Sequence, residues 1–278
     1  MNLRPFDPAF ILQVLPELLP YLGVTLWVGF SSIGLGSALG VLLAWARLSR
    51  IKIFKLAAGA YTYVLRCTPS IVLLFIVFYG LPRLVEGLLD EQIDDWDRSV
   101  FAILTFSLLF GAYISEVFRA AYQAVPRGQY EAAVSIGLST LEAVLQVVLP
   151  QAALVALPNF GNSVINLLKE GALAYTIGLI DFLGKGNLII AQNYGAYALE
   201  IYLAGMLVYW LLNLALEQLF ARLEQKLDKG GGLKSGLRAP AGGKTGRKQT
   251  LAARLRLSVS LRPKPERKLA QGGEREWN

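Results

Sequence analysis

Three amides and a carboxylate fall at helical spacing in this sequence. Asn159, Asn162 and Asn166 are separated by three and four residues, and Glu170 follows four residues after the last. A helix would therefore line them along one side. Such a set offers hydrogen-bond donors, acceptors and one negative charge, which suits transient contact with a solute that carries an ammonium group. Glu170 and its neighbour Lys169 follow an uncharged run of 26 residues, Ala143 to Leu168. Placing an ionisable side chain in hydrocarbon costs about 2.5 to 3.5 kcal/mol on insertion scales, so each such group needs a partner, a cavity or an interfacial position. Adjacent helical residues point about 100° apart. If Lys169 packs into a bundle, Glu170 faces a pathway; the alternative places both at the outer interface. Arg66 and Glu116 interrupt two other apolar stretches; Arg66 either snorkels toward the cytoplasm or forms a structural clamp, paired with Glu116. Glu200 reads as interfacial. There is no histidine and only one cysteine, Cys67. That excludes an intrachain disulfide, a His or Cys metal cage and a His-assisted nucleophile. No catalytic residue, metal ligand or cofactor is expected, and Cys67 reads as a small buried filler.

The elements that position these residues follow from composition. Hydrophobic residues make up 54% of the 278, charged residues 17%, and the mean hydropathy is +0.47. A chain so poor in charge points to a bilayer. A hydrocarbon core of about 30 Å needs roughly 20 mostly apolar helical residues, and five stretches qualify: Leu18–Ala46, Leu56–Pro82, a third from near Ser99 continuing past Glu116 and Arg119, Ala143–Leu168, and about Tyr194–Phe220. The expected fold is an all-α membrane protein with five spans over residues 17–227. Pro150, Pro158 and Gly161 predict a kink in the fourth span.

Orientation follows from the basic residues. Arg47, Arg50, Lys52 and Lys55 occupy the first loop and Arg119 and Arg127 the third, whereas Arg83–Arg98 holds six acids against two bases. The positive-inside rule then places the N-terminus, residues 1–16, outside and the C-terminus in the cytoplasm. Pro5, Asp7, Pro8 and Pro16 break up the opening segment, unlike the apolar core of a cleaved signal peptide. Residues 222–278 carry 15 Lys and Arg against 5 Asp and Glu, so the formal +7 of the chain is a body of −3 with a tail of +10. A slightly acidic body disfavours nucleic acid as a partner. The tail, 228–278, reads as a disordered extension attracted to anionic membrane lipid, with Leu251–Leu261 as a short surface-seeking stretch.

The third loop is the most specific segment. Arg127–Ser135 is polar enough to form a short helix outside the membrane, Pro126 suits its start, and Gly137 permits a sharp turn or a close approach. Glu131, Ala132, Ala133 and Gly137, followed by Leu149 and Pro150, resemble the EAA motif of ABC importer permeases. Further segments resemble the polar amino acid subfamily, which includes the histidine, glutamine and arginine permeases. These are Arg66-Cys67-Thr68-Pro69, Gly111 to Arg119, Leu149 to Asn162, and Leu167 to Gly178. The resemblance spans roughly residues 17–227. Cys67, Leu154, Gly171 and Ala172 depart from the usual Gly, Arg, Thr and Ser, and the loss of two hydroxyls beside Glu170 weakens any transfer of substrate contacts there.

The resemblance implies a permease subunit in a bacterial inner membrane. Its partners would be an ABC ATPase seated on the helix containing Glu131, Ala132 and Ala133, an extracytoplasmic amino acid binding protein, and a second permease subunit, identical or related. Gly242-Gly-Lys-Thr245 lacks the first glycine of a phosphate-binding loop and no strand precedes it, so ATP hydrolysis is expected in the partner. A secondary transporter or channel without an ATPase, and a non-transporting scaffold, are the alternatives.

Overall fold

Helix α1 runs from Pro8 to Leu48 in the computed structural model, which describes residues 6–227. The basic tail from 228 onward, with Leu251–Leu261, lies outside the described residues. Helix α1 begins ten residues before the expected span, so Pro8–Pro16 is helical rather than broken. Pro8 occupies a first-turn position, where a missing N–H costs nothing. Asp7 caps the end by accepting the Ala9 N–H at 3.0 Å. Pro16 and Pro20 sit inside the helix, and tertiary contacts hold that segment in place. The Phe10 ring stacks on Tyr197 at 3.8 Å, and the Asp7 N–H donates to Glu200 Oε1 at 3.0 Å.

The expected second span, Leu56–Pro82, is two helices: α2 (Lys52–Cys67) and α3 (Ser70–Leu89). The break falls at Thr68-Pro69. Thr68 is extended at φ −90°, ψ 128°, as the residue before a proline prefers, and its hydroxyl donates to the Val64 carbonyl at 2.8 Å. Helix α4 (Arg98–Ala124) is the third span, and α5 (Arg127–Ser135) follows it. The fourth span, Thr140–Ile177, contains α6 (Thr140–Glu142), a π-helical turn (Ala143–Val148), α7 (Leu149–Gly171) and a 3-10 segment (Ala172–Ile177). The expected irregularity takes the form of that widened turn, immediately before Pro150, whose ring would otherwise crowd the carbonyl of residue 146. Helix α8 (Phe182–Gln192) is not anticipated by the sequence reading; its 11 residues are too few to signal a span. Helix α9 (Ala198–Leu227) is the fifth span and is displaced toward the C-terminus from Tyr194–Phe220. Five helical segments among the described residues are long and apolar enough to cross a membrane.

Helix α4 is the centre of the bundle and lies against α1 in parallel, as the first and third of alternating spans must. Ser32 Oγ donates to the Ile103 carbonyl at 3.4 Å, Gly36 faces Ser107 and Phe110, and Gly40 faces Ile114. A Cβ at Gly36 would lie 2.9 Å from the Ser107 carbonyl oxygen, so glycine is required for this approach. Lipid is as apolar as the helices, so close van der Waals packing over small residues replaces the hydrophobic drive. Phe101, Phe106, Phe110 and Leu168 fill the main core; Val14, Leu18, Phe182 and Ile201 form a second where α1, α8 and α9 meet.

Candidate functional site

The segment Arg127–Ser135 is helical with the expected bounds, and its end explains the spacing of its motif. Leu138 N–H donates to the Ala133 carbonyl at 3.2 Å and Gly137 N–H to the Val134 carbonyl at 3.0 Å, with Gly137 at φ +99°. This is the Schellman arrangement, in which the residue four positions after the first bonded carbonyl adopts the left-handed conformation open to glycine. A Cβ on Gly137 would meet nothing within 4 Å, so the turn and not a close approach demands glycine. The chain then re-enters the membrane through a capping box between Ser139 and Glu142. The four motif residues divide between two roles. Ala133 is buried at 4% exposure, whereas Glu131, Ala132 and Gly137 are exposed. Val134 and Ile136 add exposed apolar surface beside them. The inner side of α5 rests on the fourth span: Tyr130 packs with Val125, Val148 and Ala152, and Gln151 Nε2 donates to Gln129 Oε1 at 3.3 Å.

The same fourth span carries the amides. Asn159, Asn162 and Asn166 are all exposed on α7, opposite the face that packs through Ala156, Gly161, Val164 and Leu168. Among the described residues none of these three side chains finds a hydrogen-bond partner. Glu170 is half-buried at the far end of the helix, and Lys169 is exposed. Of the two placements open for Lys169, packing into the bundle is not the one seen: it continues the open face of Asn162 and Asn166. An amide in hydrocarbon without a partner costs about 2 to 7 kcal/mol, so direct exposure of three in a row to lipid tails is unfavourable.

The Arg66–Glu116 clamp does not form. Glu116 Oε2 lies 2.8 Å from Arg47 Nη1 and also accepts from Arg119 Nε at 3.0 Å, while Arg119 Nη2 holds the other oxygen. Arg47 Nη1 also donates to Thr62 Oγ1 at 3.0 Å, so the cluster ties α1, α2 and α4 together. Arg66 sits at the end of α2, just before the Thr68-Pro69 break, with its guanidinium 5.7 Å from the Tyr113 ring centroid. The break that turns the chain also exposes Cys67, contrary to a buried filler role. Glu200, read as interfacial, is 5% exposed, because the N-terminal turn of α1 covers it.

One polar centre escaped the sequence reading. Asp181, 1% exposed, caps α8 by accepting the Gly184 N–H at 2.8 Å and receives the Thr25 hydroxyl at 3.2 Å. The Thr25 hydroxyl in turn accepts the Phe182 N–H at 3.1 Å. Burial pushes the Asp181 carboxyl up to about 6. The available signal was an Asp three residues before Gly184 at the start of an apolar stretch, a capping pattern that does not reveal its distant partner.

Comparison with known proteins places this arrangement among transport subunits. Residues 36–229 match the family model described as "Binding-protein-dependent transport system inner membrane component". The L-cystine transport system permease protein TcyL of Bacillus subtilis (strain 168) is 39% identical over 226 residues, 81% of this chain and 93% of that protein. The arginine transport system permease protein ArtQ of the same organism is 36% identical over 227 residues, 82% of this chain and 98% of its own length. Among solved structures, the crystal structure of an amino acid ABC transporter with histidines superposes with a TM-score of 0.71 at 29% identity. That match covers 80% of this chain and all of the other.

Proposed function

The chain belongs to the binding-protein-dependent transport system inner membrane components, and on that premise we propose that it is the permease subunit of an amino-acid importer driven by a separate ATPase. The observation that carries the reading is α5, a nine-residue helix outside the spans whose only buried residue is Ala133. Ala133 fixes it to its own bundle. Glu131 and Ala132, with Val134 and Ile136 beside them, remain open to a partner, and small Ala132 lets that partner approach closely. In this reading α5 and the C-terminus face the cytoplasm, the acidic segment Asp90–Asp97 faces outward, and the ATPase engages α5.

The mechanism uses the contact between α5 and the fourth span. A displacement of α5 by the ATPase is passed through Tyr130, Val148 and Ala152 to α7, the helix that bears Asn159, Asn162, Asn166 and Glu170. A second permease subunit covers that amide face, and the two together enclose a polar route. The solute, released by an extracytoplasmic binding protein, exchanges hydrogen bonds with the amides, and the Glu170 carboxylate accepts from its ammonium group. A route open to one side at a time permits polar groups at membrane depth without a continuous leak.

Uptake in proteoliposomes containing the ATPase and binding protein tests this reading. Glu131→Trp is expected to abolish ATP-driven amino acid uptake while the protein remains folded and inserted. Full uptake by that variant, or uptake by the chain alone driven by an ion gradient, would overturn it.

A further inference from the structure

An apolar cavity of about 610 Å³ opens between α1, α4 and α7 at the α5 end of the bundle. Its walls include Trp45, Tyr122, Ala153, Ala156 and Phe160, and apart from Ser49 and the polar tips of Trp45 and Tyr122 they are hydrocarbon. Three of the helical segments that form it are membrane spans, so the cavity lies at bilayer height. Ser49, the C-cap of α1, stands at its edge. Directly after it come Arg50, Lys52 and Lys55, all exposed and none in an ion pair among the described residues. By contrast Arg47, one turn earlier, is engaged by Glu116.

We propose that this cavity holds one acyl chain of an anionic phospholipid, whose phosphate is met by Arg50 and Lys52 at the membrane surface. Shape and charge agree on that occupant. Exposed cations that follow the edge residue Ser49 in the chain, beside an apolar slot between spans, match the two parts of an anionic lipid, and basic pockets at helix bundles bind such headgroups. The chain's own C-terminal part does not suit the site, because the +10 of residues 222–278 would be set against the same cations. The location gives the lipid a role. Tyr122 and Ala152 line the cavity and also belong to the cluster beneath α5, and Val144 of its wall lies in the π-helical turn. A seated acyl chain therefore props the contacts through which α5 meets α7. The inference concerns the bilayer and the chain alone, and it stands or falls separately from the transport reading.

Tryptophan quenching tests it. The full-length chain is reconstituted in phosphatidylcholine vesicles with increasing brominated phosphatidylglycerol, or with brominated phosphatidylcholine at the same mole fractions. The Trp45 contribution is taken as the difference from Trp45→Phe. Trp210, exposed on α9, serves as a control through Trp210→Phe. Trp45 is expected to reach half-maximal quenching at a lower fraction of the anionic lipid, by about fivefold for each basic side chain engaged, and Trp210 is expected to show no preference. Arg50→Gln with Lys52→Gln should remove the difference, and Ala153→Phe should reduce the quenching by filling the slot. Equal quenching by the two lipids, or a preference that survives loss of both cations, would overturn the proposal. Absence of quenching by either lipid would also overturn it.

Discussion

Arg47 and Glu116 join α1 to α4 through a 2.8 Å ion pair at the α5 end of the bundle, about one-quarter exposed on each side. Hydrogen bonds to charged groups contribute about 1.5 to 3 kcal/mol when water is largely excluded. Glu116→Gln should therefore lower the thermal unfolding temperature in detergent by an amount equivalent to about 1 to 3 kcal/mol. A double-mutant cycle of Arg47→Ala with Glu116→Gln should show a coupling energy, whereas one of Arg66→Ala with Glu116→Gln should show close to none. The reverse ranking would restore the clamp read from sequence.

Gly36 and Gly34 give a paired test of the α1–α4 contact. A Cβ at position 36 would approach the Ser107 carbonyl oxygen and Phe110 Cβ to 2.9 Å each, while one at position 34 meets nothing within 4 Å. Gly36→Ala is expected to destabilise by about 1 to 3 kcal/mol through overpacking. Gly34→Ala should be neutral or slightly stabilising, as alanine is the better helix former. Equal effects in a detergent unfolding series would show that the two helices are free to separate.

The amide face predicts a loss of transport without a loss of fold. Asn162→Leu and Asn166→Leu replace exposed side chains that make no hydrogen bond within the described chain, so the variants should insert and unfold normally. Glu170→Gln removes the one charge at that end. Each change is expected to lower amino acid uptake by about tenfold or more, the scale of one lost hydrogen bond to a charged group. Wild-type uptake in all three would remove this face from the route.

Asp181 predicts a pH dependence. Its carboxyl is held near 6 in the fold against 3.8 ordinarily, so the folded state binds more protons than the unfolded state between those values. Stability contributed by the protonated form is then present below about pH 4 and declines as pH rises to about 6, beyond which it is level. Asp181→Asn keeps a capping acceptor and should flatten that part of the profile. A wild-type slope unchanged in the variant would assign the titration to another group.

Five spans were legible because hydrocarbon imposes a length and an absence of charge that composition alone reveals. The α5 motif was legible to the residue, since its helix bounds, its proline start and its glycine stop are local matters. The second span misled because an apolar run carries no mark of whether Pro69 bends a helix or ends it. Asp181 and Thr25 lie 156 residues apart, and no local pattern announces such a pair.

Short range and solvent therefore set what the residues alone disclose: five apolar stretches, the bounds of α5, and the spacing of the amides along α7. Tertiary structure decided partnership. It chose Arg47 over Arg66 for Glu116, because the parallel packing of α1 on α4 brings the first there while the break before Pro69 leaves the second beside Tyr113. It also turned Ala133 inward and Ala132 outward, a distinction identical residue types cannot encode and only a neighbouring surface can make.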